Sequence, residues 1–280
     1  MANPANNPLF KHFRQPAIYI KLPSGGNYYA DSAIVFPVNG DIPVLPMTVK
    51  DELTLKTPDA LLNGVGMIEV VKSCCPNIKD PWQMPAVDVD PVFIAIRLAS
   101  YGPSMDIATG CPHCSESNEH SVDLRVILDG YKPADFSRPA FISELKIQFK
   151  PQTYFDINQI NLINFEEQRL IDSVINNQNL SEVEKKSKFE ESFEKLKQMN
   201  ISVVRASIES ITTEEGVEVK DVKLIDEFLD NCSREVYTQI KDAITKLTDD
   251  NKIKPMTLTC SECTKEYENT LIFDQSNFFG

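Results

Sequence analysis

Two short motifs of identical spacing have the residue type and arrangement needed to bind one metal ion together. The first is Cys111-Pro112-His113-Cys114 and the second is Cys260-Ser261-Glu262-Cys263. Two cysteines three residues apart on a tight turn can direct both sulfurs at one metal, and a second such turn completes a tetrahedron of thiolates. The sequence therefore predicts one structural Zn²⁺ ion with four ligands: Cys111, Cys114, Cys260 and Cys263.

The residues on either side of both motifs predict two hairpins with the cysteines at their turns. Segments 105–108 and 120–124 flank the first motif, and segments 257–259 and 267–273 flank the second. Each hairpin has the shape of one half of a zinc ribbon. Many zinc ribbons have glycine directly after the second cysteine of each motif, whereas this chain has Ser115 and Thr264.

The separation of the two motifs is unusual. Zinc-ribbon halves commonly lie roughly 15–20 residues apart, whereas residues 115–259 stand between these two. Either the metal clasps a large insertion at its base, or the two motifs are unrelated. A redox pair is the remaining interpretation, but it requires a motif that opens a helix after a strand, and strand-like residues follow both motifs.

The sequence contains no recognisable catalytic arrangement. It has no nucleophile elbow, dinucleotide fingerprint, phosphate loop or metalloprotease helix. A catalytic zinc keeps one coordination position open, and four cysteines would fill the site. His113 and His120 could replace a cysteine as ligand, and a metalloenzyme would require that one cysteine is not a ligand. Two acidic pairs are interpreted as solvated or capping residues: Asp88/Asp90 and Glu166/Glu167. We therefore predict no enzyme, no catalytic residue and no cofactor-binding residue other than the metal ligands.

Composition indicates an ordinary globular protein of acidic character. The chain has 280 residues, of which 42% are hydrophobic and 25% charged, and a formal net charge of −13. Such a charge repels the phosphate backbone, so nucleic-acid binding is not expected. A zinc-ribbon module that binds nucleic acid or regulates transcription is retained as the alternative function.

Neither export nor membrane insertion is predicted. The N-terminal residues lack an apolar signal core, and the longest apolar stretch, residues 91–99, is interrupted by Arg97. Three of the seven cysteines are not assigned to the metal: Cys74, Cys75 and Cys232. They are predicted to be free thiols in a reducing compartment and to be buried as small hydrophobic side chains.

The pattern of secondary structure predicts an α+β fold with three parts. Residues 1–16 form an extended arm, and residues 17–130 together with 251–280 form a small mixed β/helical body carrying the split zinc-ribbon clasp. Residues 131–250 form a mainly helical insertion. Helices are predicted to begin at four sites: Thr48, Thr57-Pro58, Asp90-Pro91 and Ser181. The sequence predicts an almost entirely helical chain from residue 156 to 250, apart from a turn or hairpin near Gly216.

Two further features are visible in the sequence. Segments 45–51 and 150–156 share the order strand, proline, threonine cap and helix, which suggests a weak internal repeat. The N-terminal arm and the proline-rich segment around Trp82 are the candidate contact surfaces.

A series of segments in the first third of the chain resembles a known family. The segments are FRQP at 13–16, IYIKLPSGGNYY at 18–29, IPVLPMT at 42–48 with Asp51-Glu52 after it, TPDALLNG at 57–64, and SCCPNI at 73–78. Together they resemble the baseplate family of T-even-type contractile-tailed bacteriophages, the family of the baseplate hub and hub-assembly protein. The resemblance is densest over about residues 10–125, which include the first cysteine motif.

The resemblance implies a structural or assembly role in the phage tail and no catalysis. The implied partners are other baseplate and tail proteins, with a homo-oligomer or a ring within the baseplate as a further implication. The implied location is the virion, at the tail baseplate, and the host cytoplasm during assembly.

Overall fold

The described part of the chain alternates between helices and short antiparallel strands. The computed structural model describes residues 7–57, 64–177, 180–249 and 251–270. Its helices are α1 Val49–Leu55, α2 Val65–Cys74, α3 Ala86–Tyr101, α4 Leu124–Asp129, α5 Tyr154–Asn176, α6 Glu182–Ala206, α7 Val222–Asn231 and α8 Arg234–Asp249. Its strands are β1 Ile18–Ile20, β2 Ile42–Val44, β3 Ser104–Gly110, β4 Ser117–Asp123, β5 Ala140–Ile142, β6 Leu145–Phe149, β7 Ile208–Thr212, β8 Glu218–Val219, β9 Met256–Thr259 and β10 Glu266–Asn269. The predicted α+β class is confirmed.

The first apolar core is built around α2 and α3, with β1 and β2 packed beside them. Strands β1 and β2 are antiparallel, with Ile18 opposite Val44 and Ile20 opposite Ile42. The side chains of Ile42, Val44 and Val92 are completely buried in this core. Tyr154, at the start of α5, is buried in the same core. The first turn of α5 is therefore fixed to this core.

Helix α3 begins earlier than the sequence predicted. We expected it to begin at Asp90-Pro91, but it begins at Ala86 and contains Pro91 in its interior. An interior proline loses one helical hydrogen bond and typically costs about 3 kcal/mol or more. Nearly every side of α3 is buried, and packing of this kind contributes more to the stability of a helix than local propensity does. The predicted end of the helix at Gly102, which adopts φ 87, is confirmed.

The other three predicted helix starts have different outcomes. Thr48 and Ser181 are both N-caps with complete capping boxes, as predicted. The start predicted at Thr57-Pro58 falls on residues 58–63, which lie outside the described residues; α2 itself runs from Val65 to Cys74.

The second apolar core is formed by a four-stranded antiparallel sheet, β5-β6-β7-β8, with α6, α7 and α8. Ile147, Ile208, Ile211 and Ile240 are among its buried residues. The prediction of a helical chain over residues 156–250 is therefore wrong at residues 208–212, which form β7 and pair with β6. β-branched side chains at positions 208 and 211 suit a strand that is buried on one face.

The suggested internal repeat has a structural counterpart. Strand β2 is followed by Pro46, the N-cap Thr48 and α1, and strand β6 is followed by Pro151, the N-cap Thr153 and α5. In both copies the threonine hydroxyl caps the helix and an aspartate three residues later completes the capping box. None of the helices in the described ranges has the length and apolar composition that crossing a bilayer requires.

Candidate metal centre

The four cysteines lie at the turns of two hairpins, as predicted. Strands β3 and β4 pair antiparallel from Ser104 opposite Asp123 to Gly110 opposite Ser117, and the first motif forms the turn between them. Strands β9 and β10 pair with Thr259 opposite Glu266, and the second motif forms that turn. The fold thus brings together two turns that residues 115–259 separate in the sequence.

The four sulfur atoms are placed as one tetrahedral metal ion would require. All four lie within 4.8 Å of one another. Two pairs formed across the hairpins are closer: Cys111 Sγ to Cys263 Sγ at 3.7 Å and Cys114 Sγ to Cys260 Sγ at 3.6 Å. A Zn–S bond of about 2.3 Å in a regular tetrahedron gives sulfur–sulfur distances of about 3.8 Å. The donor set and its spacing therefore fit a zinc ion.

The main chain of the two turns follows the same pattern of hydrogen bonds. In the first turn the Cys111 N–H donates to the Glu116 carbonyl at 2.9 Å, and the Ser115 N–H donates to the Cys111 carbonyl at 2.8 Å. The second turn repeats both bonds at 3.0 and 3.1 Å, from Cys260 to Lys265 and from Thr264 to Cys260. The two halves are thus equivalent in backbone structure, which supports their interpretation as halves of one ribbon.

Both turns use a left-handed backbone at a residue that is not glycine. Ser115 has φ 62 and Thr264 has φ 58. These are the positions where many zinc ribbons have glycine, which adopts positive φ without steric cost. A β-branched residue such as threonine is rare in this region. Ser115 and Thr264 therefore adopt the same turn geometry as glycine would, with local backbone strain.

Donors around Cys260 favour its thiolate form. The pKa of Cys260 is lowered to about 6, first because the backbone N–H of Cys263 donates to its sulfur, with further donation from the N–H of Glu262 and from Asn118. A cysteine must be deprotonated to bind a metal. Cys260 is almost fully buried at 1% exposure, and its sulfur lies within 4.8 Å of the other three.

Asn118 is a residue of the site that the sequence analysis missed. Its side chain is buried and donates through Nδ2 to the Glu116 carbonyl at 3.0 Å and toward Cys260 Sγ at 3.5 Å. Its Oδ1 accepts from the N–H and the hydroxyl of Ser261 at 2.8 and 2.9 Å. Asn118 therefore joins the two hairpins directly beside the sulfur cluster. A position four residues after Cys114 in a polar strand carries no pattern that would have marked it.

The two histidines near the first motif contact the second hairpin and do not join the sulfur cluster. His120 Nε2 lies 3.1 Å from the Tyr267 hydroxyl, which also lies 2.6 Å from Thr109 Oγ1. His113 Nε2 lies 3.3 Å from the Glu266 carbonyl. Both imidazole rings therefore contribute to the contact between the two hairpins. In the described ranges, the only group of metal-binding side chains comprises the four predicted cysteines.

The remaining cysteines lie away from the cluster. Cys74 and Cys75 are fully buried in the first core, as predicted, and burial raises the pKa of Cys74 to about 11. Cys232 is half-buried, at the end of α7.

One member of each acidic pair, Asp88 and Glu167, contradicts the expectation of a solvated residue, whereas Asp90 and Glu166 are exposed. Asp88 is completely buried and accepts from the Ser24 N–H at 2.8 Å, the Ser24 hydroxyl at 2.5 Å and the Tyr29 hydroxyl at 3.0 Å. Burial raises its pKa to about 6 against these hydrogen bonds. Glu167 is buried as well and lies 3.3 Å from Lys195 Nζ. Sequence alone does not reveal these partners, because they come from other segments of the chain.

The two predicted contact surfaces are partly used within the molecule. The Trp82 ring stacks on Tyr154 at 5.6 Å, so it is largely an internal packing residue. Arg14 enters the body and donates to the Ser73 carbonyl at 2.8 Å. Three apolar side chains near it in the sequence are exposed: Leu9, Phe10 and Phe13.

Comparison with known protein families finds a match. A family model described as T4 bacteriophage base plate protein matches residues 16–280, a range that includes both hairpins and all four cysteines. No curated protein and no solved structure matches the chain significantly.

Proposed function

The chain belongs to the T4 bacteriophage base plate protein family, and from this we propose that it is a non-enzymatic structural component of a contractile tail, at or near the baseplate hub. Membership of this family implies a place in the tail of the virion and other phage tail proteins as partners. The family match does not favour the alternative of a nucleic-acid-binding module, and neither does the net charge of −13.

We propose that Cys111, Cys114, Cys260 and Cys263 bind one structural Zn²⁺ ion. The observation that carries this proposal is the convergence of four sulfurs within 4.8 Å from two separate hairpins. A bound zinc would cross-link the hairpins and would leave no coordination position for a substrate. The chain's own residues supply four thiolates and the donors of Asn118, and these orient the two turns.

The metal would hold a junction that has little apolar packing of its own. Among the described residues, the buried apolar side chains between the hairpins are Cys111, Cys260 and Tyr267, with Leu258 and Cys263 packed against them. Structural zinc ions contribute about 10–16 kcal/mol of apparent binding energy in small zinc-binding units. We therefore propose that the metal joins residues 251–280 to residues 17–130. In this division of the chain, residues 131–250 are an insertion between the two parts and residues 1–16 are an arm.

We further propose that the protein makes its contacts during tail assembly in the host cytoplasm and keeps them in the finished virion. A homo-oligomer or a ring is consistent with the symmetry of a baseplate, and the exposed residues of the arm are candidates for such contacts.

The test combines metal analysis with assembly. One zinc per purified chain, with four thiols protected from modification, is expected. A phage that encodes Cys260→Ser should assemble fewer complete tails than a phage that encodes Cys74→Ala. A purified chain without zinc, or a Cys260→Ser phage with normal tails, would exclude the structural metal. A chain that fails to associate with every other tail protein would exclude the baseplate role.

A further inference from the structure

Strand β3 presents one unpaired edge. Within the described ranges it is hydrogen-bonded to β4 alone. The Cys111 N–H donates to the Glu116 carbonyl at 2.9 Å, and the Leu124 N–H donates to the Pro103 carbonyl at 2.8 Å. In an antiparallel pair, every second residue directs its N–H and C=O groups at the partner strand. The two bonds show that Pro103 and Cys111 do so, and residues 105, 107 and 109 follow by alternation. The N–H and C=O groups of four residues point away from it: Ser104, Asp106, Ala108 and Gly110.

This edge lacks the features that usually protect edge strands. Natural edges are often short, irregular or marked by lysine or proline. Strand β3 has the sequence SMDIATG and contains neither lysine nor proline. It is also long and regular, because it pairs with β4 over seven positions without a register shift. The four outward residues are small and exposed, and a Cβ atom added at Gly110 would contact no atom within 4 Å. Another chain can therefore approach the backbone.

The edge is also held rigid at both ends. At its base, Met105 and Ile107 pack against the first apolar core. At its tip, Cys111 lies in the sulfur cluster. A strand that is already ordered adds little entropic cost when a partner binds, which favours association.

The charge around this edge identifies the chemistry of the segment that fits it. Residues 104–123 contain four carboxylates and neither lysine nor arginine. The carboxylates are Asp106, Glu116, Glu119 and Asp123. Asp106 lies on β3, Glu116 in the turn and Glu119 on β4, whereas Asp123 is paired with Arg125 at 2.6 Å. A segment that adds a strand here would place its side chains beside Asp106 and near Glu116 and Glu119, so lysine or arginine would be favoured and acidic residues repelled.

We propose that the free edge of β3 binds an extended, basic segment of another baseplate protein, which adds to the hairpin as a third strand. This inference rests on the proposed function and names the kind of partner contact that it requires. Backbone hydrogen bonds to the outward groups would supply affinity, and the carboxylates would select a basic sequence.

The experiment reconstitutes the full-length, zinc-loaded chain with the other tail proteins of the same phage and measures amide hydrogen exchange. The outward amides of Asp106 and Ala108 should exchange rapidly in the free chain and become protected in the complex. Ala108→Pro removes an outward N–H without a ladder bond to β4, so it should keep its zinc and bind about tenfold more weakly. Ser121→Pro, the matched change on the outer edge of β4, should bind as the unmodified chain does.

Each outcome separates this inference from the proposed function. A complex in which the β3 amides exchange as fast as in the free chain would overturn the inference and leave the baseplate role standing. Absence of any complex would overturn both. Should Ala108→Pro lose its metal, Asp106→Lys decides the question, because it reverses one edge charge and leaves the backbone intact. Unchanged binding by Asp106→Lys would then reject the basic segment.

Discussion

Asn118 and Ser261 lie 143 positions apart in the sequence and are joined by two hydrogen bonds, from the N–H and from the hydroxyl of Ser261 to Asn118 Oδ1, at 2.8 and 2.9 Å. The same asparagine donates toward Cys260 Sγ. One buried side chain therefore positions the second turn against the first and also contacts a predicted metal ligand. Mutation of groups that orient metal ligands in this way typically lowers metal affinity by about 10–100-fold.

Asn118→Ala should weaken zinc binding by about 10–100-fold, because it removes both the bridge to Ser261 and the donor to Cys260. Competition with a chromogenic zinc chelator measures the affinity. Ser261→Ala is the matched control, since it removes the hydroxyl and keeps the backbone N–H bond, and it should have a smaller effect. Equal affinities for Asn118→Ala and the unmodified chain would show that Asn118 does not support the site.

Removal of the metal should release the second hairpin and leave the first core folded. In the described ranges the apolar cluster between the hairpins has three buried residues, and a two-stranded hairpin is marginally stable by itself. With a strong chelator, amide exchange should rise over residues 104–123 and 256–269 and stay unchanged over residues 65–101. Loss of protection across all regions would mean that the metal supports the whole fold. Unchanged protection at 256–269 would mean that the hairpins dock without it.

Thr264→Gly should stabilise the zinc-loaded protein by about 1 kcal/mol, because glycine adopts the observed φ of 58 without the strain of a β-branched residue. Denaturant unfolding at fixed free zinc measures the change. Gly216→Ala is the reverse control: Gly216 has φ 83, so alanine there should destabilise. A destabilising effect of Thr264→Gly would indicate that the threonine side chain has a role of its own at the turn.

Asp88 should make stability depend on pH in a direction opposite to that of most carboxylates. Its folded pKa is about 6, above the ordinary value of 3.8, because burial disfavours its charge. The folded state therefore binds this proton more tightly than the unfolded state does. The resulting stability is fully present below pH 3.8 and is lost as the pH rises through about 6.

Asp88→Asn removes this titration. The free energy of unfolding of the variant minus that of the unmodified chain should therefore be larger at pH 7 than at pH 4, by up to about 3 kcal/mol. Urea unfolding at both pH values measures the difference. Asp31→Asn, at an exposed position, is the matched substitution and should give the same difference at both pH values. A difference for Asp88→Asn that does not change with pH would contradict the assignment.

The convergence of the four cysteines could be predicted from sequence further than the rest of the fold, for a physical reason. The spacing of two cysteines on a turn is a local feature of the sequence. The identical spacing at Cys111 and Cys260 therefore indicates the same turn geometry at both sites, independently of the residues between them. The caps at Thr48 and Ser181 are local for the same reason. In contrast, the environment of Asp88 depends on Ser24 and Tyr29, and the strand at Ile208 depends on pairing with β6. Such contacts join residues that are distant in the sequence, so they produce no periodic pattern from which they could be predicted.

Arg14 should anchor the N-terminal segment through its guanidinium geometry as well as through its charge. It lies 3.3 Å from Asp51, and its Nη2 donates to both the carbonyl and the hydroxyl of Ser73 at 2.8 and 2.7 Å. Lysine keeps the charge but lacks the planar fork that makes several such bonds at once. Arg14→Lys should therefore destabilise the protein by about 1–3 kcal/mol and speed proteolysis within residues 7–16. Lys11→Ala, at an exposed position of the same segment, should leave both measurements unchanged. If Arg14→Lys behaved like Lys11→Ala, a positive charge alone would be sufficient to hold the segment against Asp51.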